Sequence, residues 1–235
     1  MIKGLLFDMD GVIIDSERYN DKSCEELLAS FGKPYDRDYL KPLMTGKSDV
    51  EGMEILAKHH NLPISGAEFN RIRLETKEKA YESHIPFVDG FENFFKKIVD
   101  YFNCPKCIVT AANENFVNHI DKRLGIGKLF DNNLFRSDMV EHHKPAPDPY
   151  IYGAKQLGVD CKDCLVFEDS PSGIVSGCRA GSRVIAITTT FSKEVILNNI
   201  EKIDRSVNVN NILFIDDFSD ESLTKVIKFA ETTNS

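Results

Sequence analysis

The sequence lacks an excess of basic residues, and this absence limits the partners that the protein can have. Its 29 Lys and Arg residues are outnumbered by 37 Asp and Glu residues, so the formal net charge is -8. Proteins that bind nucleic acids hold the phosphate backbone with stripes of Lys and Arg. The composition therefore argues against a nucleic-acid partner, and an anionic substrate would have to be attracted by local groups.

The sequence also lacks an apolar run long enough to cross a bilayer, so we expect no membrane partner. Near the N-terminus, Asp8, Asp10 and Asp15 interrupt the apolar residues, which is not the pattern of a signal peptide. We therefore expect a cytoplasmic protein whose six cysteines are thiols in a reducing compartment. The sequence contains no evident repeat or low-complexity tract, and it does not indicate an oligomeric state.

What the sequence contains is the composition of an ordinary globular protein. The chain has 235 residues, of which 42% are hydrophobic and 28% are charged. This length suits one large domain or a domain with a sizeable insertion. Five short, continuous apolar runs are typical of strands that are covered on both faces. These runs are residues 2–7, 107–110, 164–167, 184–187 and 212–215.

Apolar residues at helical spacing separate the later runs. One set is Phe91, Phe94, Phe95, Ile98 and Phe102, and a second is Phe116, Ile120 and Leu124. Strands that alternate with helices predict an α/β fold, with a Rossmann-like parallel sheet and right-handed crossovers. This is the fold class that we expect for the core.

One segment breaks the alternation of strands and helices. Helical stretches without a convincing strand occupy residues 16–87, including residues 53–57 and 68–81. The simplest account is a helical insertion after the first strand. We therefore predict a core domain formed by residues 1–15 and 88–235, and an inserted domain over residues 16–87.

Polar residues follow three of the predicted strands at their carboxyl ends. Asp8 and Asp10 follow the first strand, Thr110 ends the second, and Glu168 and Asp169 follow the third. Ligands of open parallel sheets bind beyond the carboxyl ends of the strands, near the switch point. The side chains from these separate segments should therefore meet at one edge of the sheet.

Acids set among apolar residues are costly to bury unless something neutralises their charge. Asp8 and Asp169 suit Mg²⁺, which proteins typically hold with one or two carboxylates, and Lys144 in the turn of KPAPDPY adds a positive charge. Asp8 can then attack a phosphoryl group as a nucleophile. Asp10 can protonate the leaving oxygen and later activate water.

The residues at the end of the second predicted strand suit the binding of phosphate. Thr110 and the backbone N–H groups that follow it, from Ala111 to Asn113, would hold the phosphoryl oxygens. Lys144 would offset the charge of those oxygens. Taken singly, Thr110 can also be an ordinary strand residue, and Lys144 can be a solvated surface lysine.

The acidic residues allow other interpretations as well. Asp8 and Asp10 could belong to a calcium-binding loop, although that motif has glycine at its sixth position whereas Gly11 is fourth. Glu168 and Asp169 could cap the helix that follows them, and that role is compatible with metal binding.

Two CxxC pairs allow a zinc site, formed by Cys104 with Cys107 and by Cys161 with Cys164. The stretch between the pairs is far longer than in zinc ribbons, and both pairs precede strands, at the edge opposite the predicted site. Cys107 and Cys164 begin apolar runs. We therefore interpret them more simply as core thiols.

Four segments carry a family resemblance. FDMDGVIIDSE, VTAAN, KPAPDPY and FEDSPSGI resemble, in this order, the four motifs of the haloacid dehalogenase superfamily. The similarity is to its phosphatase and phosphomutase branch, whose helical cap follows the first motif, and it covers about residues 1–190. It implies Asp8 as the nucleophile, Asp10 as the acid and base, Thr110 as the phosphate-binding hydroxyl and Lys144 as the lysine of the third motif.

The resemblance also implies a metal site and a substrate loop. Mg²⁺ would be held by Asp8, by the backbone carbonyl of Asp10 and by Asp169. Glu168 would be either a further ligand or an acid just outside the ligand set. The segment MTGKSDVEG is similar to the substrate loop of the cap, which implies that Thr45, Gly46 and Lys47 face the leaving group.

The function implied by the resemblance is the hydrolysis of a small phosphorylated metabolite, such as a sugar or polyol phosphate, through an aspartyl-phosphate. Asp10 argues against dehalogenation, because dehalogenases of the superfamily lack this second aspartate. The alternative is a mutase similar to β-phosphoglucomutases. Those enzymes usually have a histidine in the cap near the position of Asn20, and its absence from this chain favours hydrolysis without excluding a mutase. A non-catalytic binding module is a third possibility.

This chain also departs from many relatives of the superfamily in the second motif. Ala111 and Ala112 stand where those relatives have further hydroxyl residues. We expect this difference to change the contacts made with phosphate.

Overall fold

The computed structural model describes residues 1–44, 49–81 and 86–232, and their strands form one parallel sheet. The order across the sheet is β3-β2-β1-β4-β5-β6, and every neighbouring pair is parallel. The strands are β1 (Gly4–Phe7), β2 (Lys106–Thr110), β3 (Leu134–Arg136), β4 (Cys164–Glu168), β5 (Arg183–Ile187) and β6 (Ile212–Ile215). The order reverses between β1 and β4, which is where open α/β sheets bind ligands.

The chain divides into two compact units, a sheet unit and a helical unit. The sheet unit is Met1–Asp15 with Pro86–Ser235, and the helical unit is Ser16–Ile85. The second border therefore falls before residue 86, two residues earlier than the sequence predicts. Backbone hydrogen bonds explain the difference, because Asp15 N–H donates to the Pro86 carbonyl at 3.1 Å and Val88 N–H donates to the Ile13 carbonyl at 2.9 Å.

The helical unit is built around its own apolar core. Its helices are α1 (Glu17–Ser30), α2 (Arg37–Met44), α3 (Asp49–His59) and α4 (Gly66–Tyr81), and its described residues form no strand. Buried side chains from all four helices pack together in this core. They are Cys24, Leu27, Leu28, Leu40, Met53, Leu56, Ala57 and Phe69.

The helices of the sheet unit cover the two faces of the sheet. They are α5 (Phe91–Phe102), α6 (Glu114–Leu124), α7 (Ile126–Leu129), α8 (Asp148–Gln156), α9 (Pro171–Arg179), α10 (Lys193–Ile203) and α11 (Asp220–Glu231). One face is packed largely with phenylalanine. The rings of Phe7 and Phe167 stack with their centroids 4.3 Å apart. From α5, the ring centroid of Phe94 lies 6.0 Å from that of Phe167, and the ring centroid of Phe95 lies 5.5 Å from that of Phe7.

The other face of the sheet carries aliphatic and thiol side chains. Its core includes Leu6, Val109, Val166, Ile174 and Val184. Because both faces are covered, every residue of β1 and of β4 is buried, which explains their continuous apolar runs. The prediction of an α/β fold with a Rossmann-like parallel sheet is confirmed.

Strand β3 was not predicted from the sequence. It has three residues, all half-buried, at the edge of the sheet beside β2. So short a run has too few residues to establish an apolar pattern. Within residues 1–44, 49–81 and 86–232, no helix is both long and apolar enough to cross a membrane.

The cysteines are free thiols, and three of the four in CxxC pairs are buried. Cys161 Sγ lies 3.1 Å from Ser182 Oγ, and Cys164 Sγ donates to the Asp160 carbonyl at 3.4 Å. Burial raises the pKa of Cys161 to about 11, which disfavours the thiolate that binds metals. These contacts support the interpretation of the pairs as core thiols.

Candidate active site

The site begins where β1 ends. The backbone N–H of Asp8 donates to the Phe167 carbonyl at 2.9 Å, which continues the ladder between β1 and β4 by one residue. The chain then turns at Gly11, whose φ of 74° is in the left-handed region that favours glycine. Asp8 is consequently buried at the carboxyl edge, with 7% of its surface exposed, and Asp10 is half-buried two residues further on.

Lys144 connects the acids of two strands. Its Nζ atom lies 2.5 Å from Asp8 Oδ1 and 2.7 Å from Glu168 Oε1, and it donates to the Val109 carbonyl at 3.0 Å. The same atom lies 4.8 Å from the ring centroid of Tyr150. Residues from β1, from the turn before α8 and from β4 therefore meet at one point, as the sequence predicts.

Glu168 is fully buried, and both of its oxygens accept hydrogen bonds from the protein. Oε1 accepts from Lys144 and, at 2.9 Å, from the Tyr150 hydroxyl. Oε2 accepts from the backbone N–H groups of Asp169 and Ser170 and from the Ser170 hydroxyl, each at 3.0 Å. Of the two roles implied for Glu168, this arrangement favours an acid outside the ligand set that holds Lys144.

Asp169 faces the loop that follows β1. It is 6% exposed, and its Oδ2 atom accepts a hydrogen bond from the Thr190 hydroxyl. A Cβ atom added to Gly11 would lie only 1.9 Å from Asp169 Oδ2. Glycine is therefore required at this position, because any side chain would collide with the carboxylate.

The end of β2 supplies the predicted phosphate-binding residues. Thr110 is buried, and its Oγ1 atom accepts from the backbone N–H of Ala112 at 3.0 Å. Ala111 is exposed directly after the strand. The Asn113 side chain caps α6 by accepting from the N–H of Phe116 at 2.9 Å. The hydrogen bond between Thr110 and Ala112 shapes the turn after β2.

The balance of charge in the site is negative. Burial raises the pKa of Asp8 to about 8 although Lys144 opposes the shift, and burial with the charge of Glu168 raises the pKa of Asp169 well above its usual range. Burial would lower the pKa of Lys144, but the charges of Asp8 and Glu168 outweigh it and raise that pKa. One lysine is shared by two carboxylates, and the charge of Asp10 adds to theirs, so a further cation would stabilise the site.

The donor set fits Mg²⁺. Asp8 and Asp169 supply carboxylate oxygens, and Mg²⁺ usually completes its shell with water and substrate phosphate. In the part of the chain that the structure describes, no three His, Cys, Asp or Glu side chains are grouped to hold a metal by themselves. A cation held by two carboxylates and by other oxygens is consistent with the two available carboxylates and with the absence of a group of three such side chains among the described residues.

Thr45, Gly46 and Lys47 lie outside the described residues. Tyr150 and Thr190 contact the site but were not predicted from the sequence. Tyr150 belongs to the segment KPAPDPY, so the sequence could have indicated it as a site residue. The threonines after β5 belong to no pattern that indicates a site.

The fold and the site together define the class of protein. It is an α/β protein with a parallel sheet, and buried acids at the carboxyl ends of its strands contact a lysine at the switch point. The comparison with family models makes this specific. The model described as haloacid dehalogenase-like hydrolase matches residues 5–187. The chain belongs to this family, as the four motifs predict.

Named relatives are phosphatases. Validoxylamine A 7'-phosphate phosphatase of Streptomyces hygroscopicus subsp. limoneus is 30% identical over 83% of this chain and 90% of the relative. Fructose-1-phosphate phosphatase of Escherichia coli is 29% identical over 78% and 95%. A Thermotoga maritima structure with a provisional β-phosphoglucomutase assignment has a TM-score of 0.75 at 23% identity, over 97% and 99%. The prediction of a phosphatase of this superfamily is confirmed at the level of the family.

Proposed function

We propose that this protein is a Mg²⁺-dependent phosphomonoester hydrolase that acts on a small phosphorylated metabolite, a sugar or polyol phosphate, through an aspartyl-phosphate. The observation that carries the proposal is the position of Lys144 between Asp8 and Glu168, beside the buried Asp169. Two relatives named for the phosphates of validoxylamine A and fructose support the class of substrate.

The metal would be held by Asp8, by Asp169 and by the backbone carbonyl of Asp10. When bound, Mg²⁺ supplies positive charge that lets an anionic phosphoryl group approach the acids and that stabilises the charge developing in the transition state. The buried carboxylates support this assignment, because burial opposes their ionisation without a cation.

The first step forms a bond between an Asp8 carboxylate oxygen and phosphorus. The bond from phosphorus to the ester oxygen breaks, and Asp10 gives its proton to that oxygen as the alcohol leaves. Lys144, at 2.5 Å from Asp8 Oδ1, favours the ionised carboxylate that this attack needs. The Thr110 hydroxyl, at the end of the neighbouring strand, would donate a hydrogen bond to a phosphoryl oxygen.

The second step restores the carboxylate. Asp10, now ionised, accepts a proton from a water molecule as the water oxygen attacks the phosphorus of the aspartyl-phosphate. The bond between phosphorus and the Asp8 oxygen breaks, which releases inorganic phosphate. Asp10 is then protonated again and ready for the next cycle.

The test is a screen of phosphorylated sugars and polyols with MgCl₂, in which inorganic phosphate and rearranged sugar phosphate are both measured. We expect phosphate release, and Asp8→Asn should lower it by at least about a thousandfold because the nucleophile is lost. Asp89→Asn, at an exposed carboxylate outside the site, is the matched control and should keep wild-type turnover.

Three outcomes would contradict the proposal. Asp8→Asn could keep most of the Mg²⁺-dependent turnover, which would exclude the aspartyl-phosphate. Conversion of glucose 1-phosphate into glucose 6-phosphate, without net phosphate release, would identify a mutase. Mg²⁺ binding without turnover of any ester in the screen would indicate a binding module.

A further inference from the structure

Three consecutive threonines follow β5, and their hydroxyls have different partners. Thr189 Oγ1 donates to the Gly11 carbonyl at 2.6 Å. The Thr190 hydroxyl donates to Asp169 Oδ2. Thr188 Oγ1 instead donates to Asp216 Oδ1 at 2.6 Å, outside the site. Two neighbouring residues thus join the loops after β1 and β4, while the third does not.

The contacts around Thr190 are close. A Cβ atom added to Gly11 would lie 1.9 Å from Asp169 Oδ2 and 2.7 Å from Thr190 Oγ1. The loop after β1, the Asp169 carboxylate and the threonine turn are therefore packed against one another. The hydrogen bond from Thr189 to the Gly11 carbonyl keeps the turn in this position.

A carboxylate can rotate about its side-chain bonds, so two fixed partners are needed to set its direction. For Asp169, the Thr190 hydroxyl engages Oδ2, and the packed Gly11 closes the space beside the same atom. The hydrogen bond and the packing both favour the orientation that Asp169 has in this structure. Polar groups that hold a metal-ligating carboxylate in this way typically contribute strongly to metal affinity.

We propose that Thr190 is a positioning residue of the cation site, which orients Asp169 without touching the substrate. Thr189 supports it by holding the turn to the loop that contains Asp10. This inference rests on the proposed function, because it takes Asp169 as a ligand of Mg²⁺. It adds a fifth segment, the turn after β5, to the four that carry the sequence motifs.

The experiment is isothermal titration calorimetry of the purified full chain with MgCl₂ and no substrate. Thr190→Val keeps the size of the side chain and removes its hydroxyl, and we expect Mg²⁺ to bind about tenfold more weakly. Thr190→Ser keeps the hydroxyl and should bind Mg²⁺ like the wild type. Thr188→Val, the same substitution two residues earlier, is the matched control and should leave the affinity unchanged.

Thermal unfolding without metal separates positioning from a general loss of structure. We expect the melting temperature of Thr190→Val to stay within about 4 °C of the wild type, since one half-buried hydrogen bond is lost. If Thr190→Val does not fold, Thr190→Ala replaces it in the same comparison.

The outcomes distinguish this inference from the proposed function. Equal Mg²⁺ affinity in the wild type and Thr190→Val would overturn the role of Thr190 and leave the Mg²⁺ site in place. An equal loss of affinity in Thr188→Val would overturn it too, because the effect would not depend on Asp169. A wild type that binds no Mg²⁺ would overturn both the metal assignment and the inference.

Discussion

Tyr150 shows how one hydroxyl supports the charges of the site. It is fully buried, and its hydroxyl donates to the same Glu168 oxygen that accepts from Lys144. Burial and the charge of Glu168 raise the pKa of Tyr150 well above its usual range, so the hydroxyl remains a donor. The aromatic ring also lies beneath the Lys144 ammonium group, at a distance typical of cation–π contacts.

We predict that Tyr150→Phe lowers the free energy of unfolding by about 2 kcal/mol, because a buried hydrogen bond to a charged group is lost. Urea unfolding of the full chain measures the change. Tyr152→Phe removes the same atom two residues along α8, where the ring packs against Phe135, and should change stability by less than about 0.5 kcal/mol. Equal losses in the two variants would contradict the role of the Glu168 contact.

At the scale of the element, the first turn of α9 is built around the Glu168 carboxylate. Ser170 caps this helix by accepting from the Gly173 N–H at 3.1 Å, and Ser170 also donates to Glu168 Oε2. A Cβ atom added to Gly173 would lie 1.6 Å from Glu168 Oε1. The helix therefore approaches the buried acid so closely that glycine is needed within its first turn.

We predict that Gly173→Ala lowers the free energy of unfolding by about 2 kcal/mol, since overpacking outweighs the intrinsic helix preference for alanine. Displacement of Glu168 should also lower phosphatase turnover, because Lys144 loses a partner. The measurements are urea unfolding and turnover of a phosphate ester at saturating Mg²⁺.

Gly52 in α3 provides the matched control for this substitution. A Cβ atom added there would have Met44 Cβ as its nearest neighbour, at an ordinary contact distance of 3.6 Å. Gly52→Ala should therefore leave stability unchanged or raise it by up to about 1 kcal/mol. A Gly173→Ala protein as stable as Gly52→Ala would show that the helix can move away from Glu168.

At the scale of the whole molecule, the sheet order brings the site together. Strand β1 lies between β2 and β4, so the residues that follow these three strands share one edge. The result is a concentration of buried negative charge that opposes folding when no cation is bound, as the raised pKa values of Asp8 and Asp169 indicate. The acids proposed to serve function at this edge therefore lower the stability of the metal-free fold.

We predict that MgCl₂ raises the melting temperature of the full chain in a concentration-dependent way, since a cation that binds only the folded state stabilises it by mass action. Asp169→Asn should lose most of this increase. Without metal, it should melt no lower than the wild type, because a buried carboxylate with a raised pKa has been removed. Differential scanning calorimetry at constant ionic strength, with NaCl as the control salt, measures both effects.

A melting temperature of Asp169→Asn that rises with MgCl₂ as much as the wild type would contradict the assignment of Asp169. A melting temperature of metal-free Asp169→Asn far below that of the wild type would contradict the claim that the buried carboxylate lowers stability. The same calorimetric scans give the melting temperatures with and without MgCl₂.

The sequence predicts much of this fold because each core strand is covered on both faces. Its five predicted strands are present, with ends that differ by two residues or fewer, and the helix over Phe91–Phe102 follows the predicted apolar spacing. Strand β3 was missed, because a half-buried edge strand of three residues leaves no clear apolar run. Apolar runs in the sequence indicate buried strands, and they do not indicate a strand that is only half-buried.

Residue order alone decides which groups the site can contain, because in a parallel sheet whatever follows a central strand arrives at the same edge. Asp8, Thr110 and Asp169 could be selected in this way. Only the folded chain decides how those groups are held: that Lys144 reaches Asp8 across 136 residues and that Thr190 reaches Asp169 across 21. A hydrogen bond depends on distance and direction between atoms, and for distant segments packing alone sets these.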